Sequence, residues 1–579
     1  MFRENKRHLQ PALISNVNDL PEKLRKRLEN SWAGVFYRET FCRLDESPFA
    51  VVYADIPSRP NLPVNVLVAL ESLKADFGWS DEELYDQFSY DVQVRYALGY
   101  HQLGDGDFDL RSLYYFRERV SRYMQETGIN LIEKAFERVT DQQIRAYQLK
   151  TGKQRMDSTQ IASNIREMSR LQLLVEVLQR VQRMLSEPDQ AEYSEALAPF
   201  IQGHAGQYVY HIKGEDTAEH LQRIGVLMQR LLLELRPGYA QEPVYQMLER
   251  VFGEHFRVEE QVLKTKLAKE LSANSLQSPD DLEATYREKG QKSYKGYVAN
   301  LTETCDPHNP LQLITKVQVA PNHAEDTELL VEALPNLKAR MEIDTLYTDG
   351  GYGGPDADQA LQDHQVEQIQ TAIRGRAPTA KKLHLENFEI KQASGGTPTQ
   401  ITCPGRQTVA VHASSQNKGF VAHFADSTCQ ACPFHLNEAC PAQAGKRDLR
   451  FHLRFTQGQT NVSQRRRRSL EHQKEGRNLR AAIEATVREV KRPFPSSKLP
   501  VRGRFRITCM VIGSALVSNA RRIQRYLQGK IKQESQAMQA QEGAESSQEP
   551  PAILFFVGLK TVYGAWNRRL MDRMLCLGY

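Results

Sequence analysis

Hydrophobic positions recur with helical spacing through the first quarter of the chain, so residues 1–140 are predicted to be mainly helical. Within this stretch, PVNVLVALESLKADF predicts one helix that ends at Gly78-Trp79. The next helix, SDEELYDQF, begins with Ser80 as its N-cap. Two helices joined by a short glycine turn fit either a helix-turn-helix unit or a plain helical packing domain.

The pattern then changes to a strand and back to helices. A first core strand is predicted at about 143–158, and residues 160–290 turn helical again. Two apolar stripes mark these helices: Leu171, Leu174, Leu178, Val181 and Leu185, then Leu221, Ile224, Leu227, Leu231 and Leu235. Such stripes form either a local core or a dimer interface, and we favour the core.

Alternation with a period of two returns in YKGYVANLTE and PLQLITKVQVA, which predict the second and third strands. A helix follows in HAEDTELLVEALPNLKARM, then a fourth strand in DTLYTD and a fifth in VEQIQTAI. This order predicts an α/β fold with a mixed central sheet flanked by helices.

The stretch LRAAIEATVREVK, ending at Lys491, predicts one amphipathic helix with Leu479, Ile483, Val487 and Val490 as its apolar stripe. Its neighbouring face carries Arg480, Glu484 and Lys491, because positions four and seven apart nearly coincide around a helix. A carboxylate between two cations suits a site that handles phosphodiesters. Taken alone, however, the pattern fits a salt-bridged surface helix better.

Two distant aspartates change this interpretation. Asp157 in KQRMDSTQIA and Asp349 in DTLYTDGGYGG each close a strand-like segment, and Gly350-Gly351 mark the turn after Asp349. Loops beyond strand ends form the sites of α/β folds. Two-metal phosphoryl transfer needs several carboxylates around ions ~3.5–4 Å apart. Oxygen ligands of this kind suit Mg²⁺ or Mn²⁺.

In this order, Asp157, Asp349 and Glu484 resemble the catalytic residues of the DDE transposases of bacterial insertion sequences. One branch of these enzymes carries a tyrosine–arginine–glutamate–lysine signature, and Arg480, Glu484 and Lys491 match its last three members. Arg477 occupies the tyrosine position, which makes a hairpin intermediate on the transposon end less expected. Gly351-Tyr352 also match the branch, and LVALESLKADFGWSDEELYDQFSYD and GDFDLRSLYYFRERV resemble its helical N-terminal domain.

The resemblance implies a ribonuclease H-like core that cleaves insertion-sequence ends and transfers the strand into target DNA. Asp157, Asp349 and Glu484 would hold Mg²⁺ or Mn²⁺, two ions in all, and the partners would be DNA and further copies of the chain in a homo-oligomer. The expected parts are a DNA-binding domain at 1–140, the core at 141–159, 291–384 and 455–533, a helical insertion at 160–290, a cysteine-rich insertion at 385–454, a disordered linker at 534–551 and a C-terminal segment at 552–579.

The net charge of the whole chain does not indicate DNA binding, whereas local clusters of basic residues do. The net charge of +5 is small for a chain of 579 residues, but basic residues cluster around Glu484. Arg465–Arg468 form a run, and Arg477, Arg480, Arg488 and Lys491 follow it. The alternative is a set of solvated faces with a disordered basic loop. We favour contact with DNA phosphates, at these last four residues above all.

Four of the eight cysteines cluster as Cys403, Cys429, Cys432 and Cys440. The C-x-x-C pair suits adjacent corners of a tetrahedral zinc site, with His412, His423 and His435 as possible substitutes. The alternative is a set of reduced, unligated thiols. We favour a structural Zn²⁺, because this segment has little apolar content to fold by itself.

The start of the chain lacks the apolar segment of a secretory signal, and its longest apolar runs are too short to span a membrane. We therefore expect a cytoplasmic, nucleoid-associated protein. Two other functions remain open: a ribonuclease H-like nuclease without strand transfer, and a domesticated DNA-binding protein without catalysis.

Overall fold

A computed structural model describes residues 1–10, 15–54, 60–102, 104–371, 373, 381–393, 396–414, 419–445, 450–474, 478–494 and 498–545, with side chains up to residue 537. The chain divides into two compact units. One comprises Met1–Lys150, Pro307–Thr315 and the chain from Cys509 onward, and the other comprises Thr151–Asp306 and Lys316–Thr508.

The first unit is helical. Its helices are α1 (Glu22–Glu29), α2 (Trp32–Glu39), α3 (Val64–Phe77), α4 (Asp81–Tyr90), α5 (Val92–Ala97), α6 (Leu110–Thr127) and α7 (Leu131–Ala146). The predicted turn between α3 and α4 is confirmed. Gly78 closes α3 with a left-handed φ of 76°, and Ser80 and Glu83 form a capping box at the start of α4.

The second unit contains a six-stranded mixed sheet. Its strands are β1 (Lys153–Ala162), β4 (Thr285–Lys289), β5 (Lys292–Thr304), β6 (Ile314–Pro321), β7 (Thr345–Thr348) and β8 (Glu367–Gln370). The order is β4-β5-β1-β7-β8, and β6 also pairs with β5. Strand β1 runs antiparallel to β5 and parallel to β7. The predicted α/β class and strands two to five are confirmed, and the mixed sheet flanked by helices fits a ribonuclease H-like transposase.

The first predicted strand is wrong in its position. Helix α7 continues to Ala146, and β1 begins only at Lys153. Asp157 therefore lies inside β1, where it pairs with Leu301 of β5, and not at the end of a strand. The amphipathic pattern of α7, with Val139 and Ile144 buried, outweighed the strand-like character that we assigned to residues 143–152.

Helices follow β1, as predicted: α8 (Arg170–Met184), α9 (Glu187–Glu192), α10 (Ser194–Ile201), α11 (Ala205–Tyr210), α12 (Thr217–Tyr239) and α13 (Pro243–His255). The hairpin of β2 (Phe256–Glu259) and β3 (Val262–Thr265) comes next. Both predicted apolar stripes are buried in one common core, which favours the local-core interpretation. The status of this stretch as an insertion stays a proposal, as do the other domain boundaries.

The helices between β6 and the second sheet, called the cysteine-bearing sheet because the clustered cysteines lie beside its strands, are α14 (Asp326–Arg340) and α15 (Pro355–Asp363). A second six-stranded sheet then carries the cysteines: β9 (Glu389–Gln392), β10 (Pro398–Thr402), β11 (Thr408–Ala413), β12 (Phe420–Ala425), β13 (Gln443–Ala444) and β14 (Arg450–Phe455), with α16 (Asp426–Gln430) and α17 (Pro433–Leu436) beside it. The remaining helices are α18 (Gln457–Lys474), α19 (Ile483–Glu489) and α20 (Arg504–Glu545).

Helix α20 continues to Glu545, so the prediction of a disordered linker is wrong for residues 534–545. Its Gln-, Glu- and Ala-rich composition is compatible with a helix as well as with a linker. Residues 546–551 and the predicted C-terminal segment 552–579 lie outside the described residues. None of the described helices combines the length and hydropathy that crossing a membrane requires.

Candidate active site

Asp157 and Asp349 lie side by side on neighbouring parallel strands. The register of β1 and β7 pairs Arg155 with Tyr347, so each aspartate stands two residues further along its own strand direction. Strand β7 ends at Thr348, and Asp349 begins a short turn in which its Oδ1 accepts a 2.8 Å hydrogen bond from the Gly351 amide. Because β7 ends at Thr348, Asp157 lies beside the turn of Asp349 and not beside a paired strand residue of β7.

The predicted helix around Glu484 is shorter than expected. Helix α19 covers only Ile483–Glu489, so Arg480 lies in a turn before it, and the prediction of one helix through Leu479–Lys491 is wrong. The side chain of Asn478 accepts a hydrogen bond from the Arg480 amide, and Arg155 donates to the Leu479 carbonyl at 2.6 Å. The Ile483 amide donates to the Arg480 carbonyl at 3.0 Å and the Glu484 amide to the Ala481 carbonyl at 3.3 Å, so bonds to the residue three positions back close this turn. Three of the four residues of the predicted apolar stripe, Ile483, Val487 and Val490, are buried.

Arg480 brings the three predicted carboxylates together. One of its terminal nitrogens, Nη2, lies 3.1 Å from Asp157 Oδ1 and 3.9 Å from Asp349 Oδ2. The other, Nη1, lies 3.7 Å from Glu484 Oε1. The Asp157 side chain is 9% exposed, whereas that of Glu484 is 52% exposed. The site is therefore closed at its sheet side and open at its helix side.

Burial is the largest influence on the pKa of both Asp157 and Tyr352, on the sheet side of the site. It raises the pKa of Asp157, and the neighbouring Arg480 guanidinium opposes this shift. Tyr352 is fully buried and has a pKa well above its ordinary value, because of burial first and then the charges of Asp326 and Asp157. Its hydroxyl donates to Asn300 at 2.7 Å.

Asp326 is a further carboxylate that the sequence interpretation missed. It is buried, and its Oδ1 accepts a 2.7 Å hydrogen bond from Ser158, the residue after Asp157. The sequence showed Asp326 only as an acidic residue at the start of α14, which is a common place for a carboxylate that interacts with the helix dipole. The contact with Ser158 spans 168 positions and has no local signal.

A buried carboxylate fixes the Glu484 segment to the sheet. Glu303 of β5 has a side chain with no exposed area, and it accepts from Arg155 Nε at 2.6 Å and from Thr486 Oγ1 at 2.7 Å. Arg155 also holds the Leu479 carbonyl. Together these contacts join β1 and β5 to both ends of the segment that carries Arg480 and Glu484. None of them was predicted from the sequence.

The other predicted basic residues fall into different positions. Lys491 is half-buried and donates to Thr159 Oγ1 at 2.6 Å, and burial and then Arg488 lower its pKa. Arg488 is exposed near the end of α19. Arg477 lies outside the described residues. Thr159, which Lys491 contacts, lies two positions after Asp157 on β1.

The run Arg465–Arg468 is helical and faces carboxylates. It belongs to α18, where Arg465 pairs with Asp358, Arg466 lies 3.6 Å from Glu386, Arg467 lies 3.2 Å from Glu471, and Arg468 lies 3.2 Å from Glu367. The interpretation of this run as a disordered loop is wrong. Since each arginine already has an acidic partner, the run offers less free positive charge to DNA than the sequence indicated.

The four clustered cysteines line one small cavity together with His435 and Phe451. All four are free thiols, and the Cys403 sulfur accepts a 3.4 Å hydrogen bond from the Gln407 amide. Burial raises the pKa of Cys429 to about 11, with a further contribution from the other three thiols. His412 and His423 lie apart from this cavity, on the sheet with His452, whose Nδ1 is 2.9 Å from that of His423.

Among the described residues, no three His, Cys, Asp or Glu side chains are arranged to hold a metal ion as they stand. The donor chemistry nevertheless fits both predicted metals. Carboxylate oxygens around Arg480 suit Mg²⁺ or Mn²⁺, and four thiols around one cavity suit Zn²⁺.

The family to which part of the chain is similar supports the same interpretation. Residues 273–520 match the family described as transposase DDE domain. The match supports an insertion-sequence DDE transposase, and it implies DNA as the partner. It includes Asp349, Arg480, Glu484 and Lys491, whereas Asp157 precedes it. No curated protein and no solved structure gives a significant match.

Asp157 lies beside the matched region through its position in the sheet and its contact with Arg480. Its neighbours on β7 and in the Glu484 turn both lie within the matched DDE domain. The family match and the strand register support the same location from independent observations.

Proposed function

We propose that the chain is a DDE transposase that cleaves DNA at the ends of an insertion sequence and joins the freed 3′-hydroxyl to target DNA. One observation carries this proposal. Three carboxylates from distant parts of the chain, Asp157, Asp349 and Glu484, surround a single guanidinium next to the end of β7. Two of them lie in the matched DDE domain.

The carboxylates are the proposed ligands of two Mg²⁺ or Mn²⁺ ions, which when bound activate the attacking hydroxyl and stabilise the leaving oxygen. Asp157 and Asp349 are held by the sheet and by the turn at Gly351. Glu484 is carried by α19, which Glu303 and Thr486 tie to the sheet. Lys491 and Arg488 are proposed to contact DNA phosphates, and Arg477 to do so from the undescribed stretch.

The first unit is the proposed site of sequence-specific DNA contact, and within it α6 fits DNA better than α4. The first turn of helix α4 exposes Glu82 and Glu83, which repel phosphates, whereas its Asp81 is paired with Lys74 and Arg117. Helix α6 exposes Arg111 and Tyr115. Basic and aromatic side chains on one exposed helix are suited to phosphate and base contacts.

The cysteine-bearing sheet is the proposed site of one structural Zn²⁺, held by Cys403, Cys429, Cys432 and Cys440. The support is that all four line the same cavity. Zinc would stabilise the core of this sheet, because Cys403, Cys429 and Cys440 pack against its buried apolar side chains.

The decisive experiment uses the full chain, Mg²⁺ and a duplex that carries the repeats flanking its own gene. Cleavage at the repeat ends followed by joining to a second duplex supports the transposase. Cleavage without joining supports the ribonuclease H-like nuclease, and specific binding without either supports a domesticated DNA-binding protein. Size-exclusion chromatography of the same DNA complex tests the proposed homo-oligomer.

A further inference from the structure

Arg480 occupies the space between the three carboxylates. Its guanidinium lies 3.1 Å from Asp157, 3.7 Å from Glu484 and 3.9 Å from Asp349. The side chain is only 15% exposed, and its Nε has no hydrogen-bond partner among the described residues. The cation is thus largely withdrawn from solvent, with its two terminal nitrogens directed at the acidic groups.

A guanidinium in this place and divalent ions in the same site exclude each other. Mg²⁺ requires carboxylate oxygens at about 2.0–2.1 Å, and two ions about 3.5–4 Å apart would need the volume between Asp157 and Asp349. A guanidinium within 3.1 Å of Asp157 already takes part of that volume. Its positive charge also repels a metal ion, and this repulsion is strong where water is scarce.

DNA offers the guanidinium another partner. Arginine binds phosphate oxygens through two parallel hydrogen bonds, a geometry that none of its three carboxylate contacts here provides. The opening on the Glu484 side, where that side chain is 52% exposed, gives a phosphate access to the arginine. When Arg480 turns to a phosphate, the carboxylates lose their counter-charge and become available to metal.

We propose that Arg480 keeps divalent metal out of the carboxylate site until a DNA phosphate takes over its guanidinium. Tight metal binding then requires DNA, and the protein without DNA stays unloaded at moderate metal concentrations. The proposal rests on the proposed function, because it assumes that Asp157, Asp349 and Glu484 are the metal ligands.

The test measures Mn²⁺ binding to the full-length protein by calorimetry and by the electron paramagnetic resonance signal of free Mn²⁺. Without DNA, Arg480→Gln should bind Mn²⁺ roughly five- to a hundredfold more tightly than the unchanged protein. A DNA duplex should raise the Mn²⁺ affinity of the unchanged protein and have little effect on that of Arg480→Gln. Equal or weaker Mn²⁺ binding by Arg480→Gln overturns the proposal.

Two further variants make the result specific. Arg492→Gln removes the same charge from an exposed position just after α19, and it should leave Mn²⁺ affinity unchanged. Equal tightening in Arg492→Gln would mean a general charge effect and would overturn the proposal. If Arg480→Gln does not fold, Arg480→Lys decides, since one ammonium satisfies fewer carboxylates and should also tighten Mn²⁺ binding, and no tightening overturns the proposal.

Asp349→Asn separates this inference from the proposed function. If it weakens Mn²⁺ binding while Arg480→Gln does not tighten it, the carboxylate site stands and the role of Arg480 is refuted. If neither substitution changes Mn²⁺ binding, the metal site itself is refuted as well.

Discussion

The hydroxyl of Thr486 donates a 2.7 Å hydrogen bond to the buried carboxylate of Glu303. This bond spans 183 positions in the sequence and connects the helix of Glu484 to the C-terminal end of β5. The same carboxylate accepts a hydrogen bond from Arg155 Nε, and Arg155 Nη1 donates to the carbonyl of Leu479, the residue before Arg480. The position of Glu484 therefore depends on a buried carboxylate that is not one of the three around Arg480.

Thr486→Val should lower the rate of DNA cleavage about tenfold to a hundredfold, because a displaced catalytic group loses its alignment. It should also lower the free energy of unfolding by about 2 kcal/mol, since a buried charged acceptor loses a donor. Thr486→Ser keeps the hydroxyl and should restore most of the rate. Single-turnover cleavage and chemical denaturation measure the two effects.

The matched control is Thr508→Val, which removes a buried threonine hydroxyl that bonds only to the carbonyl of Arg504 in its own helix. It should leave the cleavage rate unchanged. A Thr486→Val protein that cleaves at the normal rate would show that Glu303 does not position the site.

Alanine at Asp157, Asp349 or Glu484 should abolish cleavage and strand transfer and leave DNA binding nearly intact. These carboxylates repel phosphate, so their removal does not weaken binding, whereas a missing metal ligand misplaces the reacting groups. Gel-shift and cleavage assays measure binding and rate separately.

Glu489→Ala serves as the control for the third carboxylate, because Glu489 lies about 140° around the helix from Glu484. It should keep most activity. Normal cleavage by Glu484→Ala together with an inactive Glu489→Ala would show that Glu484 has been wrongly assigned.

Purified protein should contain about one zinc per chain by elemental analysis. Cys429→Ser should lose this zinc, because one corner of the proposed tetrahedron is missing. Cys42→Ser should retain it, since Cys42 lies in the other compact unit. Fully folded protein that contains no zinc would contradict the assignment.

The protein should lose stability in acid partly through His255. Burial first, and then the charges of Arg170 and Lys266, lower its pKa to about 4. Above pH 6.5 the histidine is neutral in both states and has no effect on stability. As pH falls from 6.5 to 4, only the unfolded chain takes up the proton, which destabilises the fold by up to about 3 kcal/mol.

His255→Leu should therefore flatten the fall in unfolding free energy between pH 6.5 and pH 4, relative to the unchanged protein. Denaturation at pH 8 and pH 5 measures this difference. An identical difference in both proteins would mean that the imidazole is protonated in the folded state.

Arg111→Ala and Tyr115→Ala in α6 should each weaken binding to the terminal repeats, and Arg111→Ala should reduce the salt dependence of binding by about one unit of slope. Glu82→Gln in α4 should not weaken binding, because α4 presents carboxylates. Filter-binding titrations at several salt concentrations make the comparison. A loss of specificity with Glu82→Gln alone would point to α4 as the recognition helix.

Local patterns predicted the parts of the site that local forces determine. Asp349 was identified correctly at the end of its strand, because Gly350 and Gly351 mark the turn that follows β7. The N-cap Ser80 is also a local signal and was predicted at the correct residue, and the structure adds Glu83 as its capping-box partner.

Long-range contacts decided the rest. Periodicity placed Arg480 in a helix, but Arg480 lies in a turn before α19, and this turn is attached to β1 by the bond from Arg155 to the Leu479 carbonyl, which spans 324 positions. Asp326 and Glu303 escaped notice for the same reason, since their partners are distant in sequence. Sequence patterns predict which residues favour an element, whereas tertiary hydrogen bonds determine where that element begins.

The contact between Lys491 and Thr159 joins residues 332 positions apart, so the two edges of the site belong to opposite ends of a very long loop. During synthesis, β1 leaves the ribosome long before α19 exists. A chain that stops before residue 478 contains both aspartates and lacks Glu484 and Arg480. Closing so long a loop comes late in folding. On the proposed function, an incomplete chain of this kind would hold two of the three carboxylates and could not complete the metal site.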